Sequence, residues 1–529
     1  MLRRQFLSKS KLTLIGLQFP FLGACPPKGI IHMEGEIDIL EITIQDIQEM
    51  LAKRQILIVD LVRIYIDRIE AIDKHGVSLN SIIQINFDAM DTAKELDVEL
   101  RQGKSRGPMH GIPVVLKDNI DTKEMFTTAG SKALAGSLPL DDAWITDALR
   151  KSGAIILAKA NLSEWANFRG EPSTSGWSGL GGLTKNPYKL DRNTCGSSAG
   201  SAAAVSANLC TIAIGTETNG SIVCPSQTCG IVGIKPTVGL VSRDGIIPIS
   251  YSQDTAGPMA RTVRDAAICL SVITGVDSKD QKTREASGKH GIDYATFLNP
   301  QGLQGKRIGV HHSAKGRHPR VDKQFMRAIS DMEHAGATII ELDQVIESEA
   351  RSNSFNVMLY EYKDGLEKYF TSLGPNAKIK NLEELIAFNT KDDIELSFYD
   401  QTYLEQALAK GSLESKEYLK ALKTMHAASR ENGIDLVMDK HQLDAIISPA
   451  GSPAWKTDLT NGDNFSLGSS SPAAISGYPN ITVPMGFIDD LPVGISIYGR
   501  AWSESILIEI AYAYEQKTKH RRVPLFMEK

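Results

Sequence analysis

From Cys195 to Gly233 a run of 39 residues carries one charged side chain, Glu217. Around that run, between Gly170 and Gly245, lie 13 of the chain's 44 glycines. Gly- and Ser-rich sequence so poor in charge is either a solvated linker or a tightly turned core. Linkers lack the Val, Ile and Leu interleaved here, so the segment reads as buried. Burying it demands a large protein around it, and 529 residues supply one. The fraction of surface buried climbs to about three quarters near 300 residues.

Elements of two kinds alternate along the chain. Apolar positions recur at helical spacing from Glu41 to about Asp73, first Ile44, Ile47, Met50 and Leu51, then Leu57, Leu61, Ile64 and Ile69, which predicts two amphipathic helices. A third helix is expected from about Phe87 to Arg101. Ile112 to Leu116 reads as a short apolar strand ending in Lys117-Asp118-Asn119. Strands at Ile155–Ala158, Thr211–Ile214 and Arg307–Val310, with a helix from Ser201, complete an α/β pattern. The charge-rich stretch from Lys315 to Lys440 is helical in pattern and reads as an inserted or peripheral helical layer. With no repeat, the expected organisation is an export signal at 1–25, a linker at 26–39 and one large domain at 40–525.

Charge and termini narrow the function classes. Lys plus Arg number 58 against 63 Asp plus Glu, a net charge of -5 that gives no reason to expect a nucleic-acid partner. The leader joins Arg3-Arg4-Gln5-Phe6-Leu7, similar to a twin-arginine export signal, to an apolar stretch from Leu12 to Ala24. That stretch is too short to span a bilayer. Leu22-Gly23-Ala24-Cys25 resembles a lipoprotein cleavage box, so the expected location is periplasmic or cell-envelope rather than cytoplasmic. A lipid on Cys25 is the membrane contact this leader offers. The other cysteines, Cys195, Cys210, Cys224, Cys229 and Cys269, show neither zinc-finger nor CxxC spacing. In apolar surroundings they read as buried core thiols without a metal.

Three generic motifs compete for the chemistry. Gly196-Ser197-Ser198-Ala199-Gly200 fits the nucleophile elbow of α/β-hydrolases, but it follows the loop Asn186–Asn193 instead of a strand, and no histidine lies between His110 and His290. Gly179, Gly181 and Gly182 make no dinucleotide or phosphate loop. There is no H-E-x-x-H, and His311-His312 falls in a polar loop, where a solvated surface is the ordinary reading. What survives is serine and lysine chemistry without histidine. Thr216-Glu217-Thr218-Asn219-Gly220-Ser221 would present the Ser221 hydroxyl beside free backbone N–H groups, as an oxyanion needs. Lys117 could act as base if burial lowers its pKa towards about 7. Taken singly, neither signal decides anything.

Taken together the segments are recognisable. Gly111–Asn119, Gly196–Ser201, Gly215–Ile222 and Gly230–Thr237 resemble the amidase signature family, and Asp254–Arg261, Tyr478–Pro484 and Leu491–Gly494 continue the likeness over roughly residues 40 to 525. The resemblance implies an α/β/α domain with a mixed central sheet, no cofactor, and a Ser–cis-Ser–Lys triad. Ser221 matches the nucleophile, Ser197 the bridging serine 24 residues earlier, and Lys117 the base. Family spacing alone favours Ser197 over Ser198. The backbone N–H groups of Thr218, Asn219, Gly220 and Ser221 match the oxyanion hole. The reaction implied is hydrolysis of a carboxamide to a carboxylate and ammonia through an acyl-enzyme.

Two departures bear on the substrate. Where many members have Gly-Gly-Ser-Ile-Arg, this chain has Asn219-Gly220-Ser221-Ile222-Val223-Cys224, without the cation. Asn161–Gly170 and Val238–Ile249 look most like the bacterial peptide amidases, which release ammonia from C-terminal peptide amides. The alternatives are a general amidase of small aliphatic, aryl or fatty amides, or one component of a complex, like the A-type subunit of the tRNA-dependent amidotransferases. The leader argues against that last reading, and no obligate protein partner is expected.

Overall fold

Thr43 opens the first helix, α1 (Ile44–Ala52), with a reciprocal cap: its Oγ1 accepts the Asp46 N–H at 3.1 Å, and Asp46 Oδ2 accepts the Thr43 N–H at 2.9 Å. Such a cap is worth about 1 kcal/mol. Ile44, Ile47 and Leu51 face inward, as their spacing predicts. The next helix, α2 (Ile58–Arg68), has no capping side chain of its own. Asp97 of α3 (Ala89–Arg101) supplies one, accepting the N–H groups of Ile58 and Val59 at 2.9 and 3.0 Å. The computed structural model describes residues 37–312 and 315–528. The leader with Cys25, and most of the linker, lie outside the described residues. Ile39–Lys529 clusters as one compact unit.

Eleven strands form one mixed sheet. In chain order they are β1 (Ile82–Ile85), β2 (Pro113–Lys117), β3 (Ile155–Ala160), β4 (Ile212–Glu217), β5 (Val232–Lys235), β6 (Thr255–Ala260), β7 (Arg307–His311), β8 (Thr338–Leu342), β9 (Ala445–Pro449), β10 (Asn480–Ile488) and β11 (Leu491–Tyr498). Their spatial order is β1-β3-β2-β4-β6-β5-β10-β11-β9-β7-β8. β2 runs parallel to both β3 and β4, while β6 returns antiparallel to β4. Every residue of β2, β3 and β4 is buried. Helices therefore cover both faces there, as parallel strands require. The hairpin β10–β11, which no sequence pattern announced, turns on Asp489 and Asp490 at φ 50° and 64°, the geometry of a two-residue hairpin turn.

The charge-poor segment is buried, as expected. α4 (Ala199–Ser206) has all eight residues buried, which only its small side chains allow. A Cβ at Gly200 would collide with the Ser81 and Asn161 carbonyl oxygens. Between Cys195 and Gly233 only Gly196, Asn219 and Ser221 escape full burial, and all three line one cavity.

Two expectations change. The 315–440 region is not merely peripheral. Its long helix α5 (Ser348–Ser372) packs Tyr362, Leu366 and Phe370 under Trp165 and Phe168. Apolar residues on one face of that helix need a partner, and the loop after β3 provides it. His311 is not in a polar loop either. It ends β7 buried, bonded to the Tyr498 hydroxyl at 3.1 Å, and burial pushes its ring down to about 4. His312 is the exposed one and faces Glu341 at 2.9 Å.

Candidate active site

Lys117 is the last residue of β2, inside the sheet and level with Ala160 of β3. Its side chain is fully buried. Nζ lies 2.7 Å from Ser197 Oγ, 2.8 Å from Thr216 Oγ1 and 3.3 Å from the Thr216 carbonyl oxygen. Burial pushes the amine down to about 7, against the carboxylates of Asp254 and Glu217, which pull it up. A lysine ordinarily holds its proton to about 10.4. Here the neutral amine is available near neutral pH.

The peptide between Gly196 and Ser197 is cis. A Cβ at Gly196 would collide with Ser163 Oγ, so a larger residue before the serine would have to displace that side chain. Geometry separates the two serines that sequence chemistry cannot. Ser198 Oγ donates to the Thr216 carbonyl at 3.1 Å and accepts the Thr216 N–H at 3.2 Å, stitching the start of α4 to β4. Ser197 Oγ is left to Lys117.

Ser221 sits beyond β4, at the turn into a short helix Val223–Thr228. Its hydroxyl has no hydrogen-bond partner among the described residues, and it lines a cavity of about 680 Å³. The turn is shaped by Glu217, the lone charge of the segment, to which no motif gave a role. Its buried carboxylate accepts the N–H groups of Gly220, Ile222 and Val223 at 2.8, 2.8 and 3.0 Å. Hydrogen bonds to a charged group are worth about 1.5–3 kcal/mol each, so the carboxylate fixes this turn firmly. The signal was present: an isolated charge among apolar residues must find its partners inside the fold.

Glu217 also corrects the expected oxyanion hole. The Gly220 N–H is spent on Glu217 and is not free for a substrate oxygen. The N–H groups of Thr218, Asn219 and Ser221 have no protein partner among the described residues. Thr218 is held in turn by its side chain, which donates to Asp254 Oδ1 at 2.6 Å. The other Asp254 oxygen accepts the Ile249 and Ser250 N–H groups. A smaller cavity of about 280 Å³ reaches Asn119, Thr216 and Asp254 and shares Thr218 with the larger one.

The cysteines differ from the expectation of five core thiols. Cys195 and Cys224 form a disulfide with Cα atoms 5.9 Å apart, while Cys210, Cys229 and Cys269 are free and buried. The bond ties the residue before Gly196-Ser197 to the helix that follows Ser221, and both cysteines line the cavity. Phe168, Met358, Trp455 and Phe465 add apolar wall.

Comparison with known proteins decides what this arrangement belongs to. The family described as Amidase matches residues 60–508. The chain belongs to the amidase family. A probable amidase of Arabidopsis thaliana is 39% identical to it over 513 residues, covering 94% of each chain. The structure of the peptide amidase PAM with the competitive inhibitor chymostatin superposes with a TM-score of 0.89 at 47% identity, covering 92% of this chain and 99% of that one. The A-type subunit of the glutamyl-tRNA(Gln) amidotransferase from Thermosynechococcus vestitus is 33% identical over 503 residues, 91% of this chain and 99% of its own. This amidase is thus an amide hydrolase on the mixed α/β sheet that the sequence motifs imply.

Proposed function

We propose that this amidase removes the C-terminal amide of peptides by serine catalysis. Its neutral Lys117 can direct two N–H bonds at the Thr216 oxygens, turning its lone pair to the Ser197 hydroxyl. Ser197 passes its proton to Lys117 and takes the Ser221 proton as Ser221 Oγ bonds to the amide carbon. The N–H groups of Thr218, Asn219 and Ser221 receive the oxyanion. The proton then returns through Ser197 to the departing nitrogen, the C–N bond breaks, and ammonia leaves an ester on Ser221. Water adds along the same route, giving the carboxylate and restoring the serine. Ser197 and Ser221 are not hydrogen-bonded to each other, as is common before substrate tightens a catalytic relay.

The observation that carries the mechanism is the 2.7 Å link from a fully buried lysine to Ser197. The peptide reading rests on the 47% identity to a peptide amidase and on a cavity of about 680 Å³, roomier than one carboxamide needs. The test is ammonia release from matched peptide amides, free amino acid amides, and fatty and aryl amides. The expected result is a kcat/KM for peptide amides at least about tenfold above the others. Turnover confined to fatty or aryl amides would end the peptide assignment.

We also propose that the protein is exported and works alone in the envelope. A disulfide persists in oxidising compartments and is rare in a reducing cytosol, so the Cys195–Cys224 bond supports the reading of the leader. Mass spectrometry of native protein is expected to find a mature chain lacking the leader, with one disulfide and, where Cys25 is lipidated, an acyl adduct there. An intact Met1 and five free thiols between Cys195 and Cys269 would refute export.

A further inference from the structure

The charged groups on the walls of the active-site cavity differ in their partners. Four ionisable side chains of the acidic and basic kinds line it: Glu171, Asp463, Arg317 and Arg351. The two carboxylates are already engaged by neutral donors. Glu171 accepts the Tyr403 hydroxyl, and Asp463 accepts the Ser175 N–H and the Trp455 indole N–H, each at 3.1 Å. Neither arginine forms an ion pair or a hydrogen bond among the described residues.

Arg351 occupies the first turn of α5, where the helix dipole disfavours a cation. Partial desolvation and the neighbouring Arg317 charge together hold its guanidinium below the usual value. Val223, close to the nucleophile on the cavity wall, carries no charge, so the reacting end suits a neutral carboxamide. Two guanidinium groups facing one cavity, neither of them paired with a carboxylate of the protein, form a site for a carboxylate brought by the substrate.

We infer that Arg317 and Arg351 select substrates bearing an acidic side chain upstream of the amidated residue. This rests on the peptide-amide reading above and gives it a side-chain preference. The arginines would act as binding groups, raising kcat/KM for acidic peptides and opposing lysine-bearing ones. Exposed ion pairs are individually weak, so the expected preference is modest and sensitive to salt.

The test uses N-acetylated tripeptide amides identical except for Glu, Gln or Lys, placed at each of the two positions before the amidated residue. For the wild-type protein the Glu peptide is expected to exceed its Gln counterpart by about fivefold in kcat/KM at one of those positions, with Lys below Gln. The ratio should fall towards one in roughly 0.5–1 M salt, where charges beyond a few ångströms are screened. In Arg317→Ala/Arg351→Ala the Glu to Gln ratio is expected to collapse to about one. Partial misfolding would lower both rates and leave the ratio alone, so it cannot mimic this result. Equal handling of Glu and Gln by the wild type, a preference surviving in the double variant, or a preference for Lys pointing to Glu171 and Asp463 would each overturn the inference. Failure to hydrolyse any peptide amide while small amides react would instead overturn the peptide reading, and this inference with it.

Discussion

Ser221→Ala is expected to lower kcat by on the order of 10⁴- to 10⁶-fold while leaving the fold intact. The residue is one of three between Cys195 and Gly233 that are not buried, so removing its Oγ leaves no cavity in the core. Its hydroxyl holds no neighbour among the described residues, so nothing is orphaned. Substrate binding should change little, because the cavity wall and the free N–H groups stay in place. Single-turnover ammonia release and a thermal melt together check this. Full activity in the variant would show that another group attacks the amide.

Lys117→Met is expected to lower kcat/KM by about 10²- to 10⁴-fold, with an unusual stability signature. Folding moves the lysine from an ordinary value of about 10.4 to about 7, so the native state binds fewer protons than the unfolded chain between those values. Stability therefore falls as pH drops from about 10 to about 7 and is level below that. Methionine fills a similar volume without that penalty, so the variant should lose the pH-dependent part of the stability curve while losing activity. A stabilised but inactive protein would mark Lys117 as a group kept for chemistry. In the wild type, kcat/KM should fall about tenfold per unit below pH 7 as the base is protonated. Burial pushes Asp254 up to about 6, so the lower part of that limb belongs to the coupled pair. Activity flat from about pH 5 to pH 8 would exclude Lys117 as the base.

Much of the site was legible because burial and chemistry coincide in one segment. The scarcity of charge from Cys195 to Gly233 marks a core, and a core that carries Ser197 and Ser221 needs a base from elsewhere. Lys117, at the end of an apolar strand, was the candidate. Other features could not be read because they depend on distances between remote residues. Ser197 and Ser198 differ only in which hydroxyl faces Nζ and which bridges Thr216. Glu217 withdraws the Gly220 N–H by curling back over three residues, a geometry no spacing rule announces. Cys195 and Cys224 are 29 residues apart in sequence, and nothing there brings their Cα atoms to 5.9 Å. Met358, Arg351 and Tyr403 reach the cavity from a region whose charge-rich pattern describes its outer face.

The disulfide also bears on the order of events if the chain is exported as proposed. A twin-arginine route carries proteins that are already folded, and the cytosol keeps thiols reduced. On that route the sheet and the Glu217 turn must form before the Cys195–Cys224 bond exists. By then Cys210, Cys229 and Cys269 are buried beyond reach of an oxidant. The two thiols left facing the cavity in that segment would be the pair that belongs together. Oxidation would then act on a finished fold as a latch, with no mispaired alternative to undo.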